Sequence, residues 1–394
     1  MPAEPTVRYL DNNATTRADP RVVESMLPFF SERFGNAAST GHAFGEDAAA
    51  AVETARGEVA ELLGADPGEV IFTSGATEAN NLALKGVLGT SPAEAHLVVS
   101  NIEHPSILDP AARLERNGCR LTRVSCDADG RVDPDAVASA ITPGTVLVSV
   151  MWANNEVGTI NPVADCGQAC HDRGVIFHTD AVQAVGRVPI NCRNLPLDLL
   201  SLSAHKIYGP KGIGALIVRR GPRRVRLAPQ IEGGGHEAHL RSGTLAVPLV
   251  VGFGTACRLA REALESESTR LAGLAESLVE GIRSRLEGVR INGHATDRLP
   301  GNVHLGFEEV DGDALLAGLR RIAVSSGSAC TTANPEPSHV LAAMGVPEAL
   351  SRASLRFGLG RFNTEEDIAV AIDEVVTTVE RLRGVGGQPR PTGR

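Results

Sequence analysis

The sequence predicts an α/β protein: a mostly parallel central sheet covered by helices, followed by a smaller α+β domain. Three observations carry this. Near-continuous apolar runs of strand length alternate with helical patterns through the first 245 residues. Such runs, with little polar alternation, are the mark of strands buried on both faces. After about residue 245 the texture changes to long helical patterns mixed with short strands.

The elements follow in order. "EDAAAAVETARGEVAELLG" (46–64) places apolar residues at helical spacing and puts Gly64 after the last of them. "EVIFT" (69–73) reads as a buried strand, and "TSGATEANN" (73–81) follows it and opens a helix. "HLVVS" (96–100), "TVLVSVMWA" (145–153), "VIFHTD" (175–180), "DLLSLS" (198–203) and "GALIVRR" (214–220) are further strands with polar or glycine boundaries. "TACRLAREALESESTRLAGLAESLVEGIRSRL" (255–286) and "TEEDIAVAIDEVVTTVERLR" (364–383) read as helices. The expected division is a large domain over 17–255 and a small one over 1–16 and 256–383. The tail 384–394, rich in Gly, Pro and Arg, is expected to be disordered.

Composition narrows the function. With 394 residues, 42% hydrophobic and 22% charged, the chain has the make-up of a soluble globular protein. No apolar run reaches the length of a membrane span, so no membrane partner is expected. The net charge of −9 and an aromatic content of 3% argue against nucleic-acid binding. The basic run "RRGPRRVR" (219–226) reads as a solvated loop. Seven cysteines at irregular spacing, with no CxxC pair and no apolar leader in "MPAEPTVRYLDNNATT", point to a reducing, cytoplasmic location.

One of these cysteines is out of place. Cys330 lies in "SSGSACTTANPEP" (325–337), a run that suits neither a packed helix face nor a sheet ladder. A buried structural thiol would sit in an apolar pattern. Cys330 is therefore read as reactive or incidental. Cys166 and Cys170, four apart, are read as core, and His178, inside a strand pattern, as structural.

In a parallel sheet, ligands bind beyond the carboxyl ends of the strands. "FHTDAVQAV" puts Asp180 just past one strand, with Gln183 three residues on; "SLSAHKIYGPKG" puts Ser203, Ala204, His205 and Lys206 past another. Lys206 is either a surface lysine or a Schiff-base lysine that carries an aldehyde cofactor. "SGATE" offers either an anion site at a helix N-terminus or an ordinary cap supplied by Ser74 or Thr77. No GxxxxGK[ST] occurs and no GxGxxG follows the first strand, which disfavours a P-loop or a dinucleotide. An acid, a lysine and a phosphate cradle are the parts that pyridoxal 5'-phosphate needs.

At this point the motifs resemble a known family. "YLDNNATT" (9–16), "FTSGATEANNLALKG" (72–86), "EHPSIL" (103–108), "VMWANNEVGT" (150–159), "FHTDAVQAVG" (177–186), "SAHKIYGPKGIGAL" (203–216), "RSGT" (241–244), "SSGSACT" (325–331) and "LRFGLGRF" (355–362) are similar to those of the NifS/IscS group of cysteine desulfurases. The resemblance implies a fold-type I pyridoxal-phosphate homodimer. By matching motifs, Lys206 binds the cofactor aldehyde, Asp180 faces the pyridine nitrogen, Gln183 bonds the ring hydroxyl, and His104 stacks on the ring. Ala76, Thr77, Ser203 and His205, with Ala204 between the last two, hold the phosphate. Thr244 reaches the phosphate of the neighbouring subunit. Asn155 lies beside cofactor and substrate, Arg356 grips the substrate carboxylate, and Asn36 is a further candidate for that group. Ala204 departs from the glycine common in relatives.

The resemblance also implies the reaction. L-cysteine becomes L-alanine, its sulfur is captured as a persulfide on Cys330, and an acceptor such as an iron–sulfur scaffold receives it for cluster assembly. No intrinsic metal is expected, only a transient iron–sulfur contact through Cys330. The alternative is an aminotransferase or β-eliminating lyase of the same fold, for which Cys330 is dispensable.

Overall fold

The computed structural model describes residues 7–89, 95–221, 225–326 and 337–386. The Cys330 thiol, the centre of the basic run and the end of the tail lie outside these residues. The strands are β1 (Arg8–Tyr9), β2 (Val70–Thr73), β3 (His96–Ser100), β4 (Arg120–Val124), β5 (Thr145–Ser149), β6 (Ile176–Asp180), β7 (Leu199–Ser203), β8 (Gly214–Val218), β9 (Val289–Ile291), β10 (Asn302–Phe307), β11 (Ile322–Ala323), β12 (Ser325–Ser326) and β13 (Ser354–Gly358).

Seven of them form one sheet in the order β2-β8-β7-β6-β5-β3-β4. Only β8 runs against its neighbours; the other pairings are parallel. The central strands β3, β5, β6 and β7 are buried along almost their whole length, as their unbroken apolar runs require. His178 is the polar exception on β6. Its ring is fully enclosed between the hydroxyls of Ser149 (2.8 Å) and Ser201 (3.0 Å), and burial pushes its pKa down to about 3. A neutral histidine with both nitrogens satisfied stitches three parallel strands and has no open valence for chemistry.

A second sheet, β12-β13-β10-β9, is antiparallel. It packs with Leu10 and the helix Glu365–Gly386 around its own core of Val303, Leu305, Phe307, Leu355 and Phe357. The helix Val247–Arg283 serves both cores. Val250, Phe253 and Cys257 join the large one, and Leu271, Leu274, Leu278 and Ile282 the small one. It starts eight residues earlier than its apolar pattern indicated, with Pro248 in its first turn, where a missing N–H costs nothing. The short helix His339–Ala343 places Val340 and Leu341 in the large core.

Another difference lies at 150–153. The apolar run suggested strand to Ala153, but pairing stops at Ser149. There the Met151 N–H turns to the Glu103 carboxylate (2.6 Å) and Trp152 N–H to the Asp180 carbonyl (2.9 Å). On the β6 edge the Val150 and Trp152 N–H groups still reach the carbonyls of His178 and Asp180, whereas on the other edge the Glu103 carboxylate takes the Met151 donor from any ladder.

The helices Ala43–Leu63 and Val247–Arg283 cross closely at Gly254, where an added Cβ would lie 2.5 Å from the Ala55 Cα. In an open helix Gly→Ala stabilises by about 1 kcal/mol. Here Gly254→Ala is expected to destabilise the fold by about 1–3 kcal/mol through overpacking, read as a lowered midpoint in urea. A midpoint at or above that of the parent would show that the crossing can relax.

Candidate active site

A cavity of about 550 Å³ opens at the carboxyl ends of β6 and β7, where the two sheets meet. Its walls carry Asp180, Gln183, Ser203, His205, Lys206, His104, Asn155, Ala76, Thr77 and Arg356, so one site collects most of the sequence candidates.

Asp180 ends β6 and is buried. One carboxylate oxygen accepts from Asn80 Nδ2 (2.8 Å) and the other from the Val182 N–H (3.0 Å). Asn80 also donates to Ser106 Oγ (2.8 Å), and Ser106 Oγ lies 2.8 Å from His104 Nδ1. The Ser106 backbone N–H donates to the same nitrogen (3.1 Å). That bond makes Nδ1 the acceptor, so the neutral ring carries its proton on Nε2. Burial lowers the His104 pKa against the opposing pull of Asp180, and the Lys206 cation adds to the lowering. The site thus presents a neutral imidazole with its proton on the nitrogen remote from Ser106.

Lys206 follows β7 in a short 3₁₀ turn. Its Nζ donates to the carbonyls of Asn13 (2.5 Å) and Ala14 (2.7 Å). His205, beside it, is 3.1 Å from Thr15 Oγ1, and burial with the Lys206 and Lys211 charges pushes its pKa down to about 4. Ala204 is fully buried, and its Cβ lies where a side chain on Gly209 would collide, so the turn is tightly packed.

The helix Ala76–Leu88 points its start at this cavity. Neither Ser74 nor Thr77 caps it. Gly75 is the N-cap residue and has no side-chain bond to offer. Just ahead of the first turn, Thr73 Oγ1 bonds Gly75, accepting from its N–H (3.4 Å), and the Glu78 carboxylate takes the Ser74 N–H (2.8 Å) and is tied to Arg241 (2.8 Å). The first-turn N–H groups are therefore left for an anion. Gly214 of β8 permits this approach, since a Cβ there would stand 2.8 Å from the Gly75 Cα.

These residues fit pyridoxal phosphate. An uncapped helix start, a hydroxyl at Ser203 and the Lys206 ammonium suit a phosphate and an aldehyde, and the Asp180 carboxylate suits a protonated ring nitrogen. Gln183 Oε1 is buried with no partner in this cavity wall, while its Nε2 donates to the Asn13 carbonyl (3.0 Å). An orphaned polar atom at a ligand cavity marks a contact that the ligand completes.

Arg356 comes from β13 of the second sheet and is buried. Nη1 donates to the Asn155 carbonyl (3.0 Å) and Nη2 to Asp11 Oδ1 (2.9 Å), while Nε has no partner. Two candidates sit elsewhere. Asn36 lines a smaller pocket with Arg56, His236 and Glu237, and its Oδ1 accepts from the Ala38 N–H (3.0 Å). Thr244 is exposed and does not line the Lys206 cavity of its own chain. Cys330 lies outside the described residues, but β12, just before its segment, brings Ser325 to the cavity wall.

Sequence reasoning missed Asn80, Ser106, Asp11 and Glu103. All four lie inside the quoted motifs, yet nothing in a motif says which polar residue bonds to which. Glu103 is the least expected. It is fully buried beside His104; Ser100 Oγ (2.6 Å) and the Met151 N–H (2.6 Å) donate to one oxygen, and the other has no partner. Burial, outweighing those bonds, pushes its pKa up to about 8.

The cavity and sheet define a lysine-based fold-type I enzyme, and comparison with known proteins narrows the class. The aminotransferase class-V family matches residues 8–370. The chain is similar to the cysteine desulfurase IscS of Anaeromyxobacter dehalogenans, at 50% identity over 376 residues, covering 95% of this chain and 93% of that one. A solved NifS-like protein matches with a TM-score of 0.88 and 36% identity, over 95% of this chain and all of the other. The structure described as "SspA in complex with cysteine" matches with a TM-score of 0.81 and 37% identity, over 91% of this chain and 100% of that one. The chain belongs to the aminotransferase class-V family and, within it, to the pyridoxal-phosphate-dependent cysteine desulfurases. No helix among the described residues is long and apolar enough to cross a membrane.

Glu103 gives a pH test. An acid whose folded pKa is raised binds a proton in the native state that the unfolded state has released, so its contribution to stability falls as pH rises from about 4.5 to about 8. Glu103→Gln should match the parent near pH 4.5 and exceed its stability by at least about 2 kcal/mol at pH 8, measured by urea unfolding across that range. A stability difference that does not change with pH would mean that the carboxyl stays ionised.

Proposed function

We propose that this enzyme moves sulfur from L-cysteine to Cys330 with the cavity residues in the roles that their positions suit, and that an acceptor protein then takes the sulfur for iron–sulfur cluster assembly. The observation that carries the reading is the convergence of Lys206, Asp180 and an uncapped helix start on one cavity that also holds Arg356.

Bound pyridoxal phosphate supplies an electron-accepting ring that stabilises the charge left when the substrate α-carbon loses its proton. The protein does the rest. Lys206 carries the cofactor aldehyde between turnovers and moves protons at the α-carbon. Asp180, braced by Asn80 and Val182, holds a proton on the ring nitrogen. Ala76, Thr77, Ser203 and His205 hold the phosphate. Gln183 completes its orphaned valence on the ring hydroxyl. His104 would contact the bound ring and donate through Nε2, while Asn155 and Arg356 would orient the substrate.

Cys330 attacks as the thiolate. Its sulfur bonds to the substrate Sγ, the substrate Cβ–Sγ bond breaks, and the electron pair with a proton stays on carbon. The products are alanine and a persulfide on the enzyme. A free thiol is only about 3% ionised at pH 7, so a cation or base must assist. The neutral His104, with its proton already on Nε2, serves better as a donor than as that base.

We place two chains in the working enzyme. Leu27, Phe30, Phe34 and Phe44 are large apolar side chains exposed on one chain, with Phe34 and Phe44 stacked 5.5 Å apart. Clustered aromatics of this kind favour a protein interface. Thr244 follows a turn in which Glu237, Ala238 and His239 all have positive φ. The turn is held by the buried Glu237–Arg56 pair (2.8 Å) and by the Phe72 N–H (2.6 Å). Backbone strain maintained by a buried ion pair suits a segment that must present Thr244 to a neighbouring subunit. The cytoplasm is the expected site of action.

Cys330→Ser and Lys206→Ala separate the two halves of the reaction. Cys330→Ser should keep cofactor absorbance and still respond spectrally to cysteine, yet make neither persulfide nor sulfide. Lys206→Ala should lose the label that borohydride fixes on Lys206 and should fail before any sulfur moves. Near-normal alanine and sulfide production by Cys330→Ser would overturn the persulfide step.

A further inference from the structure

Arg356 is held in an incomplete embrace. Guanidinium and carboxylate pair best through two parallel hydrogen bonds. Here Asp11 offers only Oδ1, to Nη2 at 2.9 Å; its Oδ2 accepts from Ser325 Oγ at 2.8 Å. Nε, on the same edge of the guanidinium as Nη2, is buried with no partner among the described residues. Both side chains line the cavity, and both are largely withdrawn from solvent. A buried N–H without an acceptor is costly, so the pairing leaves the cation under-satisfied on the edge that a carboxylate would use.

We propose that Asp11 is a positioning residue that sets substrate affinity by exchange. It holds Arg356 through one oxygen in the empty site and gives up Nη2 when the substrate carboxylate binds Nε and Nη2 together. The exchange replaces a single-point contact with a two-point one and satisfies the orphaned Nε. Two consequences follow from electrostatics. The Asp11 charge neutralises Arg356 before substrate arrives, which steadies a buried cation. It also opposes the incoming carboxylate, because two like charges must then share one guanidinium. Asp11 therefore weakens substrate binding in return for a pre-positioned Arg356. Ser325 contributes by fixing the second Asp11 oxygen and keeping the pair single-pointed.

This inference rests on Arg356 as the substrate-carboxylate group, and the test separates the two. The probe is L-alanine, titrated into holoenzyme and followed by the change in cofactor absorbance, an equilibrium reading that needs no turnover. Asp11→Asn keeps the shape and an acceptor for Nη2 but removes the charge. It should bind alanine about three- to tenfold more tightly than the parent, with a fall in KM for cysteine larger than any change in kcat. Ser325→Ala, which frees Oδ2 to engage Nε and lets Asp11 pair with Arg356 at two points, should instead weaken alanine binding, and it covers the case in which Asp11→Asn does not fold. Arg356→Lys should weaken alanine binding. Unchanged affinity in Arg356→Lys would overturn the role of Arg356 itself. Weakened binding in Arg356→Lys together with unchanged or weaker binding in Asp11→Asn, or with unchanged or tighter binding in Ser325→Ala where Asp11→Asn does not fold, would overturn the exchange and leave Asp11 as a plain structural partner.

Discussion

The site depends on one short stretch of chain, Asp11–Thr16, laid across the junction of the two sheets. It supplies acceptors to groups from both. Lys206 Nζ donates to the Asn13 and Ala14 carbonyls, and Gln183 donates to the Asn13 carbonyl. Asn12 bonds the Gly358 carbonyl through both its backbone N–H (2.9 Å) and its side chain (2.8 Å), and Thr16 bonds the His205 carbonyl. The most demanding case is Arg187, a part-buried guanidinium whose pKa burial lowers. It donates to Asn13 Oδ1 (2.5 Å) and the Asn12 carbonyl (3.2 Å). A buried cation needs acceptors wherever it is placed. Lys206, Arg187 and Arg356 together account for why this segment is polar and why it cannot move independently of the cavity.

Charge in the cavity is controlled by burial as much as by residue type. Asp180 takes two donors, one to each oxygen, and lies within hydrogen-bonding reach of the Asn80–Ser106–His104 chain. Glu103 is one residue from His104, yet it keeps an unpartnered oxygen and a pKa pushed up to about 8. Glu156, next to Asn155, is similarly raised to about 7 by burial, although the Ser338 hydroxyl (2.5 Å) and the Arg356 charge oppose this. Burial thus favours the protonated form of both, more strongly for Glu103 than for Glu156. The cavity-wall carboxylates with donors on both oxygens or an arginine beside them are Asp180, Asp11 and Glu78.

Much of the architecture was legible in the chain itself. Unbroken apolar runs identified β3, β5, β6 and β7 because a strand buried on both faces has no room for polar alternation. The placement of Asp180 and Lys206 just past two such runs located the cavity, since strand ends in a parallel sheet face a common crevice. Where the reading strayed, a non-local bond was responsible. Val150–Ala153 is apolar enough for strand, but the Glu103 carboxylate takes the Met151 donor. At the start of the helix Ala76–Leu88 the sequence left an anion site and a Ser74 or Thr77 cap as alternatives, and the helix begins at a glycine with no side-chain cap.

The sequence by itself placed the candidate side chains: residue type and strand pattern put an acid and a lysine at adjacent strand ends, and the family resemblance added a histidine before a proline-led helix and an arginine late in the chain. Tertiary structure alone decided how they are tied together. Asp11 meets Arg356 across 345 positions and Lys206 meets Asn13 across 193. Such contacts form only when two sheets close on the segment between them. Burial, which neutralises Glu103 and leaves the Arg356 Nε without a partner, is a property of that closure and of no local run of residues.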